Sequence, residues 1–167
     1  MSRRWKIGVA VLAVAVAFAG WSGWTLQQAN ASSAVRYGQL RDGVLSAGRQ
    51  SVATLTTVRR QSPEVDVNRW LSCTTGALHQ ELVRVKADTV SQLRKASATA
   101  VGTVTAAAVV TMDESAGTAT LLTTVSLEIT PSSGSPTTER HRYRAVLTRA
   151  GAGWKVSSLS PVPTGKA

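Results

Sequence analysis

The chain has 167 residues, 43% of them hydrophobic and 17% charged, a composition too apolar and too weakly charged for a disordered protein. Its formal net charge is +10, with 19 Lys and Arg residues against 9 Asp and Glu. One Cys and two His exclude an intramolecular disulfide framework and a Cys-rich zinc site, and they leave little material for a His-based metal site. We therefore expect one folded domain with an appendage, without a metal or a cofactor.

A charge-free apolar run occupies residues 7–26. Twenty helical residues rise about 30 Å, which is the thickness of a bilayer core. The basic tail of residues 1–6 precedes this run and predicts, by the positive-inside rule, a cytoplasmic N-terminus. Trp5, Trp21 and Trp24 stand at the two ends of the run, as interfacial anchors do. The prediction is a single-pass protein of the cell membrane with an extracytoplasmic C-terminal domain.

A cleaved signal peptide is the alternative, because residues 29–31 (Ala-Asn-Ala) form a small-x-small cleavage site ending at Ala31. The apolar run is long for a signal peptide, and a Trp-containing stretch separates it from that site. These two features favour an uncleaved anchor. The expected organisation after the anchor is a linker at residues 27–33, a domain at residues 34–160 and a flexible tail at residues 161–167.

The first half of the expected domain has helical periodicity. Apolar and small side chains recur every three or four residues from Ala34 to Val58, which predicts one long helix that ends before Pro63. A second stripe runs from Val67 to Val85, with Gly76 as a candidate break and a separate helix over residues 78–94 after it. The first stripe comprises Tyr37, Leu40, Val44, Ala47, Ser51, Leu55 and Val58.

After Thr99 the period changes to two, and turn signals divide the chain into strands at residues 101–112, 118–130, 137–149 and 154–159. Alternation then assigns their faces. The inward positions are Ala119, Leu121, Thr123, Val125, Leu127 and Ile129 in the second strand, Tyr143, Ala145 and Leu147 in the third, and Trp154 and Val156 in the last. The predicted fold class is α+β, a cone-shaped domain of two or three helices packed on a curved four-stranded antiparallel meander.

Arg140, Arg142 and Arg144 alternate on the outward face of the third strand. Their spacing of about 6.8 Å makes a short positive ridge. One interpretation is a soluble strand protected from edge pairing; the other is a docking ridge for an acidic partner or for anionic lipid headgroups. That face lacks aromatic side chains for base stacking, so we expect no nucleic-acid binding. The charges between Arg36 and Lys95, Asp66 among them, are predicted to lie on solvated helix faces.

The sequence offers few groups for catalysis. His79 and His141 are the candidate general bases, although a hydrogen-bonded or solvated histidine is the favoured interpretation of each. Glu81, Asp88, Asp113 and Glu128 are all expected at exposed positions, and we predict no catalytic residue. Cys73 is expected to be a buried thiol; the alternative, a cross-link between two copies, leaves a homo-oligomer open.

Four segments together resemble the Mce-associated membrane proteins of actinobacteria. These segments are residues 75–78 (Thr-Gly-Ala-Leu), 102–107 (Gly-Thr-Val-Thr-Ala-Ala), 153–156 (Gly-Trp-Lys-Val) and 159–162 (Leu-Ser-Pro-Val), although Leu78 stands where that family usually has an aromatic residue. The resemblance implies an extracytoplasmic domain like nuclear transport factor two, with a cystatin-like cone. It also implies a non-catalytic role beside the Mce lipid-import machinery, with Mce subunits or a permease and membrane lipid as partners.

Two other functions stay open at this point. An inner-membrane assembly component of a type IV secretion or conjugation system has the same topology and fold. A carrier of small hydrophobic ligands, or an isomerase-like or dehydratase-like enzyme, would use the interior of the cone and one of the two histidines. The fold alone does not decide among the three.

Overall fold

The computed structural model describes residues 33–163. Within them, no helix is both long enough and apolar enough to cross a membrane. The predicted anchor at residues 7–26, its Trp5, Trp21 and Trp24, and the cleavage site ending at Ala31 lie outside the described residues, as does the end of the predicted tail, 164–167.

The described elements are four helices, where two or three were predicted, followed by four strands. The helices are α1 (Ser33–Leu55), α2 (Pro63–Cys73), α3 (Gly76–Arg84) and α4 (Lys86–Lys95). The strands are β1 (Ala98–Asp113), β2 (Thr118–Pro131), β3 (Thr137–Ala150) and β4 (Gly153–Pro161). Adjacent strands pair in the antiparallel sense and in the order β1-β2-β3-β4, which confirms the predicted α+β meander.

Helix α1 ends three residues earlier than the periodicity indicates. Thr56 and Thr57 turn their hydroxyls back to the carbonyls of Val52 and Ala53, at 2.8 and 2.7 Å. Such bonds compete with the continuing helical ladder. Val58 instead exchanges two backbone bonds with Ala100 of β1, so the chain leaves the helix to join the sheet.

The expected break at Gly76 is confirmed. Thr74 is extended and forms a parallel bridge to Val156 of β4, and Gly76 starts α3 with a φ of +60°, a conformation that favours glycine. A second break follows at Val85, where the prediction had one helix over residues 78–94. Neither α3 nor α4 contains a fully buried residue, so this helix pair rests on half-buried contacts.

The chain divides into two units, and the division falls between Leu40 and Arg41 in α1. In the first unit residues 33–40 are helical, and Tyr37, predicted to lie on the apolar stripe, is 47% exposed. The second unit contains the core between α1 and the inner face of the sheet. Its buried members are Val44, Val52, Ala119, Leu121, Val125, Ala145, Leu147 and Val156.

Two glycines set the distance between α1 and the sheet. A Cβ on Gly48 would lie 2.3 Å from Leu121 Cδ2, and a Cβ on Gly102 would lie 1.9 Å from Thr56 Oγ1. No side chain fits at such distances without displacing its neighbour. Gly48 weakens α1 as an isolated helix, and the same residue lets α1 pack closely on β2 and β3.

Candidate docking surface

The inner and outer positions of β2 and β3 alternate as predicted. Leu121 and Leu147 are fully buried, whereas Leu122, the next residue of β2, is 41% exposed. Within residues 41–163, no helix packs on the outer face of the sheet.

Arg140, Arg142 and Arg144 are exposed on this outer face. Strand pairing places them opposite Ser126, Thr124 and Leu122 of β2, respectively. Each of the three arginines therefore has an uncharged partner on the neighbouring strand. We call these three residues the arginine ridge. Their outward placement is as predicted, and their role in docking stays a prediction.

Several arginines of the described chain form ion pairs with carboxylates, whereas the three of the arginine ridge do not. Arg59 pairs with Asp66, Arg84 with Glu81 and Arg94 with Glu64. Among residues 33–163, no carboxylate forms an ion pair with a ridge guanidinium group. Three unpaired charges about 6.8 Å apart create a positive potential that attracts anions and suits bidentate carboxylate or phosphate contacts.

An apolar strip lies beside the ridge. Ala106 and Ala108 of β1 are exposed opposite Thr124 and Leu122, and Val110 is 56% exposed at a bulge of the same strand. The strip is two strands from the ridge, a distance of about 10 Å. A partner that covers this face therefore meets apolar side chains on one side and guanidinium groups on the other.

The two histidines are both held by hydrogen bonds. His79 Nδ1 lies 3.1 Å from the Leu71 carbonyl oxygen and 3.3 Å from Thr74 Oγ1, which ties α3 to the end of α2. His141 Nε2 lies 2.9 Å from Glu139 Oε2 at the end of β3, with its ring centroid 6.3 Å from that of Tyr143. Both histidines are therefore hydrogen-bonded, as expected, and the absence of a catalytic role for either stays a prediction.

Four carboxylates that were expected at exposed positions are exposed, whereas Asp66, also expected to be solvated, is buried. Glu81, Asp88, Asp113 and Glu128 all lie on the surface. Asp113 accepts hydrogen bonds from the Ser115 hydroxyl and the Ala116 N–H in the turn after β1, and these bonds lower the pKa of its carboxyl group. Among residues 33–163, no three His, Cys, Asp or Glu side chains are grouped closely enough to hold a metal ion.

Asp66 is the exception, because it is 2% exposed where the sequence predicted a solvated helix face. Its Oδ2 accepts the Arg59 backbone N–H at 2.7 Å, and its Oδ1 accepts the Arg59 guanidinium at 2.9 Å. Arg69 stands 3.5 Å away on the same helix. Asp66 therefore closes the turn between α1 and α2. The one sequence signal for this role is its position in the first turn of the helix after Pro63, where carboxylates accept free N–H groups.

Cys73 is half-buried rather than fully buried, and its thiol donates weakly to the Trp70 carbonyl oxygen at 3.4 Å. Desolvation raises the pKa of the Cys73 thiol to about 11. A thiol with so high a pKa is a poor nucleophile at neutral pH. The side chain lines an open groove of about 610 Å³ together with Arg69, Trp154 and Lys155.

The family model described as "Uncharacterized protein Rv1363c/MT1408-like" matches residues 6–163. The chain belongs to this family. The match includes the predicted anchor and the whole described domain, so one family pattern spans both. A search among curated proteins finds no match.

Solved structures resemble this member of the Rv1363c/MT1408-like family at low sequence identity. CagV, a VirB8 homolog of the type IV secretion system of Helicobacter pylori, is 13% identical with a TM-score of 0.57, over 74% of this chain and 99% of that one. An IcmL-like type IV secretion protein of Legionella pneumophila is 10% identical with a TM-score of 0.60, over 76% and 95%. The periplasmic domain of DotI is 12% identical with a TM-score of 0.58, over 72% and 94%. The domain therefore has the VirB8 fold, a relative of nuclear transport factor two.

Proposed function

We propose that this protein is a membrane-anchored, non-catalytic assembly subunit of an envelope complex, and that it holds a partner protein on the outer face of its sheet. The observation that carries the proposal is the arginine ridge, three unpaired guanidinium groups on a face that no helix of residues 41–163 covers. An acidic surface of a partner would complement the ridge in charge and fix its orientation.

The inner face supports a structural role better than a catalytic one. Leu121, Val125 and Leu147 fill its centre and are fully buried, so the described core is packed by aliphatic side chains rather than by an acid or a base. The Nδ1 atom of His79 forms the hydrogen bonds that join α3 to the end of α2. His141 is 43% exposed beside Glu139. The carrier or enzyme alternative would need one of these histidines in a dry pocket.

Two observations favour different identities for the complex. The structural similarity to CagV, to the IcmL-like protein and to the periplasmic domain of DotI favours a role like that of VirB8-type subunits in secretion systems. The sequence segments at residues 75–78, 102–107, 153–156 and 159–162 favour the second candidate, an accessory protein of Mce-type lipid or sterol import. We place the secretion-type role first, because the structural match extends over about three quarters of the chain.

The proposed location follows from the same comparison. The apolar run at residues 7–26 would anchor the chain in the cell membrane, with the basic N-terminal tail in the cytoplasm. The domain would then lie outside the cytoplasm, as the domain of DotI does in the periplasm. A scaffold in this position can link a membrane complex to envelope proteins without any chemistry of its own.

Gentle detergent purification of the tagged full-length protein from its own membranes, with mass spectrometry of the co-purifying proteins and lipids, tests the proposal. The informative variant is Arg142→Glu with Arg144→Glu. A matched control is Arg41→Glu with Lys95→Glu, which makes the same change of charge at exposed helix positions.

The proposal expects secretion-type envelope subunits with the wild type and with the control, and their loss with the ridge variant. Recovery of Mce subunits or a permease would transfer the scaffold role to lipid import. A lone protein that carries a stoichiometric lipid would contradict the scaffold role, and so would a partner that stays bound to the ridge variant.

A further inference from the structure

The two edges of the sheet differ in how they are occupied. At the β4 edge, the Thr75 N–H donates to the Val156 carbonyl oxygen at 2.9 Å, Thr74 bridges to Val156, and α3 packs alongside. At the β1 edge, Ala100 exchanges bonds of 2.7 and 2.9 Å with Val58, and the Gly102 N–H donates to Thr57 Oγ1 at 3.2 Å. From residue 105 to residue 112, no other element within residues 41–163 bonds to this edge.

The open part of β1 lacks the charges and the prolines that commonly protect an edge strand, although it has two bulges. Such strands carry Lys, Pro or inward charges that prevent pairing with other chains. Here no charged residue and no proline occur from Ala96 to Met112, a stretch of 17 residues. Two bulges interrupt the register, at Val104/Ala106 and at Val109/Thr111, and the residues between them, 106–109, pair regularly with β2.

We propose that this open edge of β1 pairs, antiparallel and about a two-fold axis, with the same edge of a second copy of the chain. The result is a continuous eight-stranded sheet. The pairing does not depend on the proposed function, since it uses the edge of the sheet rather than the arginine ridge.

The distribution of charge makes this edge the surface through which two copies can pair. Residues 33–163 contain 15 Lys and Arg against 9 Asp and Glu, so two copies repel through most of their surfaces. A two-fold contact brings the same patch of each copy together, and an uncharged patch is the one that avoids this repulsion. The two arginine ridges would then lie about 24 Å apart across four strand spacings and the new junction, which is well beyond the Debye length of about 8 Å.

The covered β4 edge explains why the assembly would stop at two copies. Pairing of β1 with the β4 edge of another copy would continue without limit, as open head-to-tail contacts do. Thr74, Thr75 and α3 block that arrangement. With the axis near Ala108, Ala106 of one copy faces Val110 of the partner subunit, and the most exposed valine of β1 becomes covered.

Disulfide cross-linking of the full-length protein in detergent tests the pairing. In a Cys73→Ser background, Ala108→Cys places a thiol near the axis, where the Cα atoms of paired residues lie about 4.5–5.5 Å apart and a disulfide can form. Ala152→Cys, in the exposed turn before β4, is the control position. We expect a cross-linked dimer from Ala108→Cys at least tenfold faster than from Ala152→Cys.

A second change separates specific pairing from random collision. Val110→Lys adds a like charge on each side of the proposed junction, whereas Val83→Lys adds the same charge at a valine of α3 with similar exposure, 52% against 56%. We expect Val110→Lys to slow the cross-linking of Ala108→Cys at least tenfold and Val83→Lys to leave it unchanged. Equal rates at positions 108 and 152 overturn the proposal, and so does a cross-linking rate that Val110→Lys leaves at the wild-type level.

Discussion

The inner and outer faces of the same strands differ in what their side chains contact. On the inner face Leu121 and Leu147 are fully buried under α1, and Gly48 lets the helix approach them. On the outer face Leu122 and Arg144 stand opposite each other and are exposed. Residues that are adjacent in the sequence thus serve stability on one side and remain available for contacts on the other.

The comparison teaches where a substitution should affect folding and where it should affect binding. Burial of an aliphatic side chain stabilises the folded state by about 1.5–3 kcal/mol, and an exposed one contributes little. Substitutions on the outer face should therefore reduce the free energy of unfolding less than substitutions on the inner face. Three substitution experiments sharpen this contrast, from the largest expected effect to the smallest.

Leu121→Ala and Leu122→Ala form a matched pair of the same chemistry on opposite faces of β2. Leu121→Ala opens a cavity in the core and should lower the free energy of unfolding by about 2–5 kcal/mol. Leu122→Ala should change it by less than about 0.5 kcal/mol, because the side chain is 41% exposed. Urea unfolding followed by circular dichroism measures both, and equal losses would show that the two faces are not distinct.

Gly102→Ala tests the close approach of the turn after α1 to the first strand. The new Cβ would overlap Thr56, so we expect a loss of about 1–3 kcal/mol in the free energy of unfolding. Gly43→Ala is the control, since Gly43 lies in an exposed part of α1 with no atom within 4 Å of the added Cβ. It should stabilise the protein by about 0.4–1 kcal/mol, and destabilisation of similar size by both changes would contradict the packing described above.

Glu64→Gln tests the weakest of these contacts, the ion pair between α2 and Arg94 of α4. The hydrogen bond to its own backbone N–H, followed by the Arg94 guanidinium, lowers the pKa of Glu64 from 4.5. A carboxyl whose pKa is lowered on folding contributes its stability above the unfolded value and loses it as the pH falls through the folded value. The wild type should therefore lose slightly more stability than Glu64→Gln when the pH falls below 4.5, as unfolding at several pH values would show. An identical acid dependence would mean that the ion pair does not form in solution.

The strands were predictable because their inward and outward residues alternate with a clear period of two. The observed bounds of all four strands extend the expected ones by one to three residues at an end, and the inward positions of β2 and β3 are as predicted. The outward placement of Arg140, Arg142 and Arg144 followed from the same alternation. The break of the second helix at Gly76 was also predictable from its glycine.

Other features depend on contacts between distant parts of the chain, which periodicity does not report. The burial of Asp66 results from the turn that brings the Arg59 N–H to it. The end of α1 depends on threonine hydroxyls that bond backward and on a strand 45 residues away. The second break, at Val85, has no glycine or proline to mark it. The half-buried state of Cys73 depends on the open groove that it lines with Trp154 and Lys155 of β4.

The most direct test of the central claim, that the outer face of the sheet holds a partner, is photocross-linking in native membranes. A photoreactive amino acid at Ser160, which pairs with Arg144 from the exposed end of β4, probes the face without removing a ridge arginine. The same group at Ser91 of α4 is the control. We predict one discrete protein adduct from position 160 that disappears with Arg142→Glu and Arg144→Glu, and no such adduct from position 91. The absence of an adduct at position 160, or one that survives the charge reversal, would contradict the claim.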